Sequence, residues 1–380
     1  MEIRMVDLKS QYEKIKPEID EAIQQVIDST AFIKGPYVKN FADNLASFLG
    51  VNHVIPCANG TDALQIALMA LDMKPGDEVI TTPFTFVATV ETIVLLGLKP
   101  VFVDVDPDTF NIDPYLIEAA ITDRTKCIIP VHLFGQSADM DRIMKIALNH
   151  DLYVIEDAAQ AIGANYTYEG KEKKCSTIGD IGTFSFFPSK NLGCFGDGGA
   201  ICTNNEQLAH KINLLANHGS SNKYYYDDIG VNSRLDAIQA AVLDVKLKYL
   251  DEYNLARRKA ADSYDSMLSD IEILQTPVRA RDRNHVFHQY TLKIGSSRNE
   301  IQSLLREAGI PSAIYYPVPL YSQSVYKKYD VKKGGYPVTE SLCNSVLSLP
   351  MHSELNEEMQ IHITNHLKEA IQKSGIYSHV

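Results

Sequence analysis

From residue 53 onward, short apolar runs alternate with amphipathic stretches, and this alternation limits the possible folds more than any other feature of the 380-residue chain. The runs at 53–57, 78–82, 100–104, 127–131, 152–156, 182–187 and 199–203 have the length and composition of buried strands. The segments near 61–72, 85–96, 114–121, 138–149 and 205–216 have helical spacing, and Asp113-Pro114 is a helix start signal. On this scale the pattern predicts an α/β architecture, a mainly parallel seven-stranded sheet with helices on both faces. The last two runs are joined by about a dozen residues with no helix, too few for a parallel crossover, so one of them is expected to run antiparallel.

Ahead of the alternation, Ile15, Ile19, Ile23, Val26 and Ile27 predict a helix over 11–30. A turn at Gly35-Pro36 and a second helix over 38–48 follow, stopping at Gly50. Residues 235–250 read as a long helix leading out of the sheet. Beyond it the texture changes to strands at 286–294 and 312–316 and helices near 298–308 and 356–372, the first opened by the capping box Ser297-x-x-Glu300. The expectation is a large α/β domain over 1–245 and a smaller α+β domain over 246–380.

Net charge is −12 with no basic run, which argues against a nucleic-acid partner. The six cysteines are scattered without Cys-x-x-Cys, the usage of reduced thiols in the cytoplasm and not of a zinc site, so no metal is expected. The start Met1-Glu2-Ile3-Arg4 reads as no signal peptide, and no apolar run approaches a membrane span.

The chemistry gathers around Lys190, in Thr183-Phe184-Ser185-Phe186-Phe187-Pro188-Ser189-Lys190-Asn191-Leu192-Gly193, closed by Gly196-Asp197-Gly198-Gly199. A lysine on irregular backbone after an apolar strand can be a surface charge. It can also be a Schiff-base lysine, which needs a neutral and partly desolvated amine, and Phe184, Phe186 and Phe187 are suitable neighbours. Four features join it at predicted strand ends, where open α/β sheets bind ligands. Cys57-Ala58-Asn59-Gly60-Thr61 leads into a helix N-terminus that suits a phosphate. Phe86 begins a helix and could stack on a flat ring. Glu156-Asp157 ends a strand with two acids, one of which could keep a pyridine nitrogen protonated. Ser185 could add a hydroxyl to a phosphate. Singly, each has an ordinary structural reading. His132, His218 and Cys194 read as packing or hydrogen-bonding groups, Tyr224-Tyr225-Tyr226 as interface or surface, and Lys171, Lys173 and Lys174 as a solvated turn.

Taken in order, Gly60-Thr61, Phe86, Asp157, Gln160, Ser185 and Lys190, with Glu156-Asp157-Ala158-Ala159-Gln160 and Ser185-Phe186-Phe187-Pro188-Ser189-Lys190, resemble the sugar aminotransferases of the DegT/StrS family over nearly the whole chain. The resemblance implies the type I aminotransferase fold and pyridoxal 5'-phosphate as cofactor. Lys190 would hold the cofactor covalently and then shuttle a proton, Asp157 would pair with the ring nitrogen, Gln160 would bond the ring hydroxyl and Phe86 would stack on the ring. Gly60, Thr61 and Ser185 would hold the phosphate, with Asn232 reaching it from the neighbouring subunit of a homodimer with shared active sites. Thr30, Phe32, Ser189, Arg234, Tyr315 and Tyr316 would contact substrate.

Asn232-Ser233-Arg234-Leu235-Asp236-x-x-Gln239-Ala240-Ala241 looks like the branch that acts on 3-keto nucleotide sugars, closest to the group that aminates UDP-2-acetamido-2-deoxy-3-oxoglucuronate with glutamate in surface-polysaccharide synthesis. Arg234 is the candidate partner for the sugar carboxylate. One position departs from the group's pattern: Tyr315 stands where a His usually precedes Tyr-Pro-x-Pro-Leu, and a phenol carries no positive charge at neutral pH. The alternatives are a dTDP-3-keto-6-deoxyhexose aminotransferase, a cofactor-binding regulator or scaffold without turnover, and a dehydratase relative, which Lys190 opposes because His is expected there.

Overall fold

A computed structural model of the chain describes residues 1–295, 297–329 and 335–374. All seven expected runs form strands: β1 His53–Cys57, β2 Glu78–Thr81, β3 Lys99–Phe102, β4 Thr125–Ile128, β5 Tyr153–Asp157 and, after a hairpin of β6 Asn165–Tyr168 and β7 Lys171–Lys174, β8 Ile181–Ser185 and β9 Gly199–Thr203. They make one seven-stranded sheet in the order β1-β9-β8-β5-β4-β2-β3. β9 runs antiparallel to both neighbours, and the other pairs are parallel. Ser185 and Cys57 both stand opposite Gly199, so the ends of β8 and β1 meet the start of β9 at one edge.

The helices α1 Leu8–Ser29, α2 Gly35–Leu49, α3 Gly60–Ala70, α4 Ala88–Leu95, α5 Met140–His150, α6 Glu206–Leu215 and α7 Ala237–Leu247 cover this sheet. Their apolar positions form separate clusters, one of Ile66, Ile155, Ile181 and Ile201, another of Phe41, Leu45, Phe184 and Phe186. A small hairpin, β10 Ser220–Asn222 and β11 Tyr225–Tyr226, leaves Tyr224, Tyr225 and Tyr226 exposed. Among the described residues, no helix is long and apolar enough to cross a membrane.

Several local expectations need correction. Residues 114–121 make two 3₁₀ turns, although Asp113 does cap them by accepting from Tyr115 N. Only Pro114 and Ile117 are buried there, too narrow a stripe to hold a longer helix. Lys171, Lys173 and Lys174 belong to β7, turned by Glu169-Gly170, both at positive φ, with Lys174 over the Phe48 ring. The helix expected over 235–250 is α7, which breaks at Lys248-Tyr249 before α8 Leu250–Leu268.

α8 packs against an antiparallel sheet of β12 Leu274–Gln275, β13 Tyr290–Ile294 and β14 Val346–Leu349. The helices α9 Arg298–Glu307, α10 Pro337–Ser345 and α11 Glu357–Lys373 complete this part of the chain. Ser297 makes no side-chain cap to α9, so the capping box does not form. Residues 312–316 are not a strand. Only Ala313 bridges to Ser348, and Ile314, Tyr315 and Tyr316 instead pack against Phe84, Phe110 and Phe134.

Candidate active site

The strand ends β1, β5 and β8 open on a cavity of about 680 Å³. Its floor is the start of α3. Asn59 caps that helix by accepting from Asp62 N through its side chain (2.8 Å) and from Ala63 N through its carbonyl (3.1 Å). Helix geometry leaves the N–H groups of Gly60 and Thr61 without intrahelical partners, a ready site for an anion. Gly60 is required by the close approach of β8, because a Cβ there would lie 2.6 Å from Ser185 Cβ. Gly60→Ala should therefore push Ser185 aside at a cost on the order of 1–3 kcal/mol. The expected result is at least about tenfold weaker binding of pyridoxal phosphate by titration, and an unchanged affinity would show that this turn is not the cradle.

Strand alternation sends the two acids at the end of β5 to opposite sides. Glu156 is fully buried behind the cavity and accepts from Ser176 N, Ile178 N and Gly179 N at 2.6–2.8 Å. Its fourth partner is His132, whose Nδ1 accepts from Ala138 N, which leaves the ring proton on Nε2 to donate to Glu156 at 2.8 Å. Burial pushes the Glu156 carboxyl up, but His132 and these N–H groups hold it below the ordinary carboxylate range. Asp157 faces the cavity. Thr89 Oγ1 donates to it at 2.9 Å and Ala159 N at 3.2 Å. Burial wins at this group and raises its carboxyl, with the Thr89 and Ala159 bonds and the Lys190 charge acting the other way. Among the described residues Asp157 forms no ion pair, an arrangement that a protonated ring nitrogen would complete.

Lys190 lies in the loop after β8 with its backbone N donating to Phe187 O at 2.8 Å. Burial pushes its amine down to about 8, partly offset by Asp157. The aromatic shell expected around it is smaller than the sequence suggests. Phe184 and Phe186 sit in the core with Phe41 and Leu45, and only Phe187 lines the cavity. Phe86 also lines it, 56% exposed, whereas Phe84 two residues earlier is core at 1%. Gln160 is oriented by Phe134 N, which donates to its Oε1 at 2.8 Å, while its Nε2 donates to the Tyr316 hydroxyl at 3.1 Å. Ser189 and Tyr315 complete the expected set on this cavity.

The remaining four expected residues lie elsewhere on the chain. Thr30 and Phe32 follow α1, and Asn232 and Arg234 precede α7. An Ile33–Asp236 bridge and a bond from Ala237 N to Phe32 O join the two segments into one locus. Arg234 lines a separate groove with Lys34, His210 and Asn217. Thr89, Asn59, Asp197, His288 and Gln289 line the cavity but are not singled out by sequence. The spacing Thr85-x-x-x-Thr89, two hydroxyls flanking the start of α4 and 3.5 Å apart, is the one signal that could have found Thr89.

An anion-binding helix start, a desolvated acid with no ion pair among the described residues, a lysine of lowered basicity and an exposed aromatic face fit pyridoxal phosphate. The sequence profile described as the DegT/DnrJ/EryC1/StrS aminotransferase family matches residues 13–368. The chain is 49% identical to a pleiotropic regulatory protein of Geobacillus stearothermophilus, over 97% of this chain and 98% of that one. It is 48% identical to the UDP-2-acetamido-2-deoxy-3-oxo-D-glucuronate aminotransferase of Pseudomonas aeruginosa, over 93% and 96%. It is 44% identical to a UDP-N-acetyl-3-dehydro-alpha-D-glucosamine 3-aminotransferase of Acidithiobacillus ferrooxidans, over 97% and 98%. Among solved structures, DesV of S. venezuelae, in complex with a ketimine intermediate, superposes with a TM-score of 0.93 at 39% identity over 97% and 98% of the two chains. NtdA of Bacillus subtilis, with bound cofactor PMP, gives 0.88 at 35% over 98% and 85%.

Proposed function

The chain belongs to the DegT/DnrJ/EryC1/StrS aminotransferase family of pyridoxal-phosphate enzymes, and on that premise we propose that it transfers the amino group of glutamate to C3 of UDP-2-acetamido-2-deoxy-3-oxoglucuronate, for surface-polysaccharide synthesis. The observation that carries the reading is the convergence of Lys190 and Asp157 on one cavity with the Gly60 cradle. Bound there, the cofactor supplies an aldehyde that exchanges amino groups and a ring that withdraws electrons from the bond being broken. In this reading Gly60, Thr61 and Ser185 hold its phosphate, and Phe86 covers one ring face. Asp157, aimed by Thr89 and Ala159, keeps a proton at the ring nitrogen. Gln160 bonds the ring hydroxyl. Lys190 Nζ would anchor the cofactor covalently and, once displaced from it by the amine of glutamate, would hold the proton taken from the α-carbon of glutamate. The large domain over 1–245 holds the cofactor, and the smaller one over 246–380 contributes His288, Gln289, Tyr315 and Tyr316 to the cavity wall.

The locus of Thr30, Phe32, Asn232 and Arg234 acts in trans, from the second subunit of a cytoplasmic homodimer. Support comes from its place outside the same-chain cavity and from the exposed Phe32, Ile33, Tyr225 and Ile229 around it and on the β10–β11 hairpin, an apolar surface suited to a subunit contact. Arg234 then meets the sugar carboxylate, with Asn232 on the phosphate and Ser189 and the Tyr315 and Tyr316 hydroxyls on the sugar.

A second reading, a neutral 3-keto nucleotide sugar such as a dTDP-6-deoxyhexose, is favoured by the charge of the wall. Among the described residues the charged groups on it are Asp62, Asp157, Asp197 and Lys190, with no arginine. A third, a regulator without turnover, is weakened by the presence of both Lys190 and Asp157 on one cavity, which binding alone does not need. Arg234→Ala separates the first two. For the uronate it should cost on the order of 2–5 kcal/mol in the half-reaction with keto-sugar, followed by the cofactor's absorbance after loading with glutamate. An unaffected keto-sugar step, or a wild-type preference for the 6-deoxy sugar, would replace the uronate with the neutral substrate.

A further inference from the structure

Behind the cavity two buried asparagines meet: Asn191, the residue after Lys190, and Asn254 on α8, each 3% exposed. Asn191 Nδ2 donates to Asn254 Oδ1 at 2.7 Å and to Val286 O at 2.9 Å. Asn254 Nδ2 in turn donates to Ile162 O at 3.1 Å. The two main-chain carbonyls can only accept, which fixes the nitrogen end of each amide. Gly163 makes room for the pair, since at φ +82° it is in the left-handed region and a Cβ there would lie 2.6 Å from Asn254 Nδ2. Asn191 Oδ1 has no hydrogen-bond partner among the described residues. A buried acceptor left unpaired is costly, and an apolar side chain in this place would avoid that cost, so what the amide contributes is its two donated bonds.

Each of the three segments tied here carries a group of the cavity. Asn191 follows the lysine directly, Ile162 stands two residues after Gln160, and Val286 opens the wall that presents His288 and Gln289. Val286 N also donates to Gly135 O at 2.8 Å, so its N–H and its carbonyl are both held by the large domain. Among the described residues Lys190 Nζ makes no hydrogen bond, so the backbone that carries it sets where it stands. That backbone is fixed on one side by the bond from Lys190 N to Phe187 O and on the other by the side chain of Asn191.

We infer that Asn191 and Asn254 are positioning residues, an amide pair that holds Lys190, Gln160 and the 286–289 wall in one arrangement and acts on the reaction through them. The inference rests on the reading of Lys190 as the amine that takes the cofactor.

The test uses the full chain with Asn191→Leu, Asn254→Leu and both together. Asn191→Ser, which opens the pair without added bulk, reads the same quantities if leucine does not fold. Ile143→Ala is the control, because Ile143 is fully buried on α5 in a separate cluster and its loss lowers stability without touching the pair. Melting temperature, the pH midpoint of pyridoxal phosphate capture by the apo protein, and the rate and half-saturation of the half-reaction with glutamate are measured. The groups that share the cavity with Lys190 and titrate are Asp62, Asp157, Asp197, His288, Tyr315 and Tyr316, and all of them are retained. Each single leucine variant should lose roughly 10- to 100-fold in the limiting rate with half-saturation changed by less than about threefold, the result of a misplaced reacting group. The capture midpoint should rise from about 8 toward the ordinary lysine value, because a displaced amine regains water. The double variant should be no more than about threefold worse than either single one, since the two amides act as a unit. The control should lower the melting temperature and leave the midpoint at about 8. A midpoint that stays at about 8 in the leucine variants would overturn the inference whatever happens to stability, as would additive rate losses in the double variant or an equal midpoint shift in the control. If glutamate is not the donor, the midpoint decides alone. A wild type that takes no cofactor at Lys190 would sink the reading beneath the inference, and this shows before any substitution is made.

Discussion

Lys190→Ala should give a folded protein that binds pyridoxal phosphate reversibly and turns over at least on the order of 10⁴-fold more slowly, because in the proposed mechanism one side chain supplies both the covalent anchor and the moving proton. The fold should survive: the loop is held by main-chain bonds, Phe186 N to Gly198 O at 2.7 Å and Cys194 N to Phe186 O at 2.9 Å, which alanine keeps. Borohydride should fix the cofactor on wild type at Lys190, read by peptide mass, and should fix nothing on the variant. The amine's lowered basicity gives this reaction a pH signature. Only the neutral amine attacks an aldehyde, and burial brings its midpoint to about 8. Cofactor capture by the apo protein should therefore accelerate with pH and level off above about 8, whereas a solvated lysine would still be accelerating near 10. Normal turnover in the alanine variant would remove Lys190 from the mechanism.

Asp157→Asn should act in two opposite directions. Turnover should fall roughly 10²- to 10³-fold or more, since an amide cannot hold a proton at the ring nitrogen and the stabilisation of developing negative charge is lost. The apo protein should not lose stability and should gain it at higher pH. The sign follows from the raised carboxyl of Asp157: burial opposes ionisation, so its favourable contribution is present below the ordinary carboxylate pKa and is lost as pH rises through the folded value. Asparagine has no charge to bury and escapes that loss. Bound cofactor should erase the difference by giving the carboxylate its cation. Melting temperatures of both apo and loaded proteins across pH 4–8 check the sign, at about the range where carboxyls titrate. An unchanged turnover rate in Asp157→Asn would contradict the ring-pairing role.

The sheet is legible in the sequence because its strands are buried on both faces and so read as continuous apolar runs. α8 escapes the same reading because Asn254 and Arg257 occupy buried places on its inner stripe, where a pattern search expects apolar residues. Arg257 can sit there only because three main-chain carbonyls surround it, one of them 94 residues away. Within the site, Gly60, Asp157 and Lys190 announce themselves through local motifs. Thr89 does not, since its meaning comes from a bond to Asp157 across 68 residues. The aromatic run before Lys190 misleads for a simple reason: period-two alternation carries Phe184 and Phe186 together into the core and turns only Phe187 to the cavity. Arg234 is legible as part of a motif, but its separation from Lys190 on one chain is a property of the surface, which no local pattern encodes.

The reversal of β9 bears on how such a protein can change its trade. Because β9 returns beside β8, residues 186–198 leave and re-enter the sheet at the same edge, closed by the Ser185–Gly199 pair. Lys190 rides on this cassette, while Gly60 follows β1 and Asp157 ends β5. Mutation inside the cassette can silence the chemistry without dismantling the receptor for the coenzyme. In an architecture wired this way, a catalyst and a ligand-responsive binding protein stand one side chain apart.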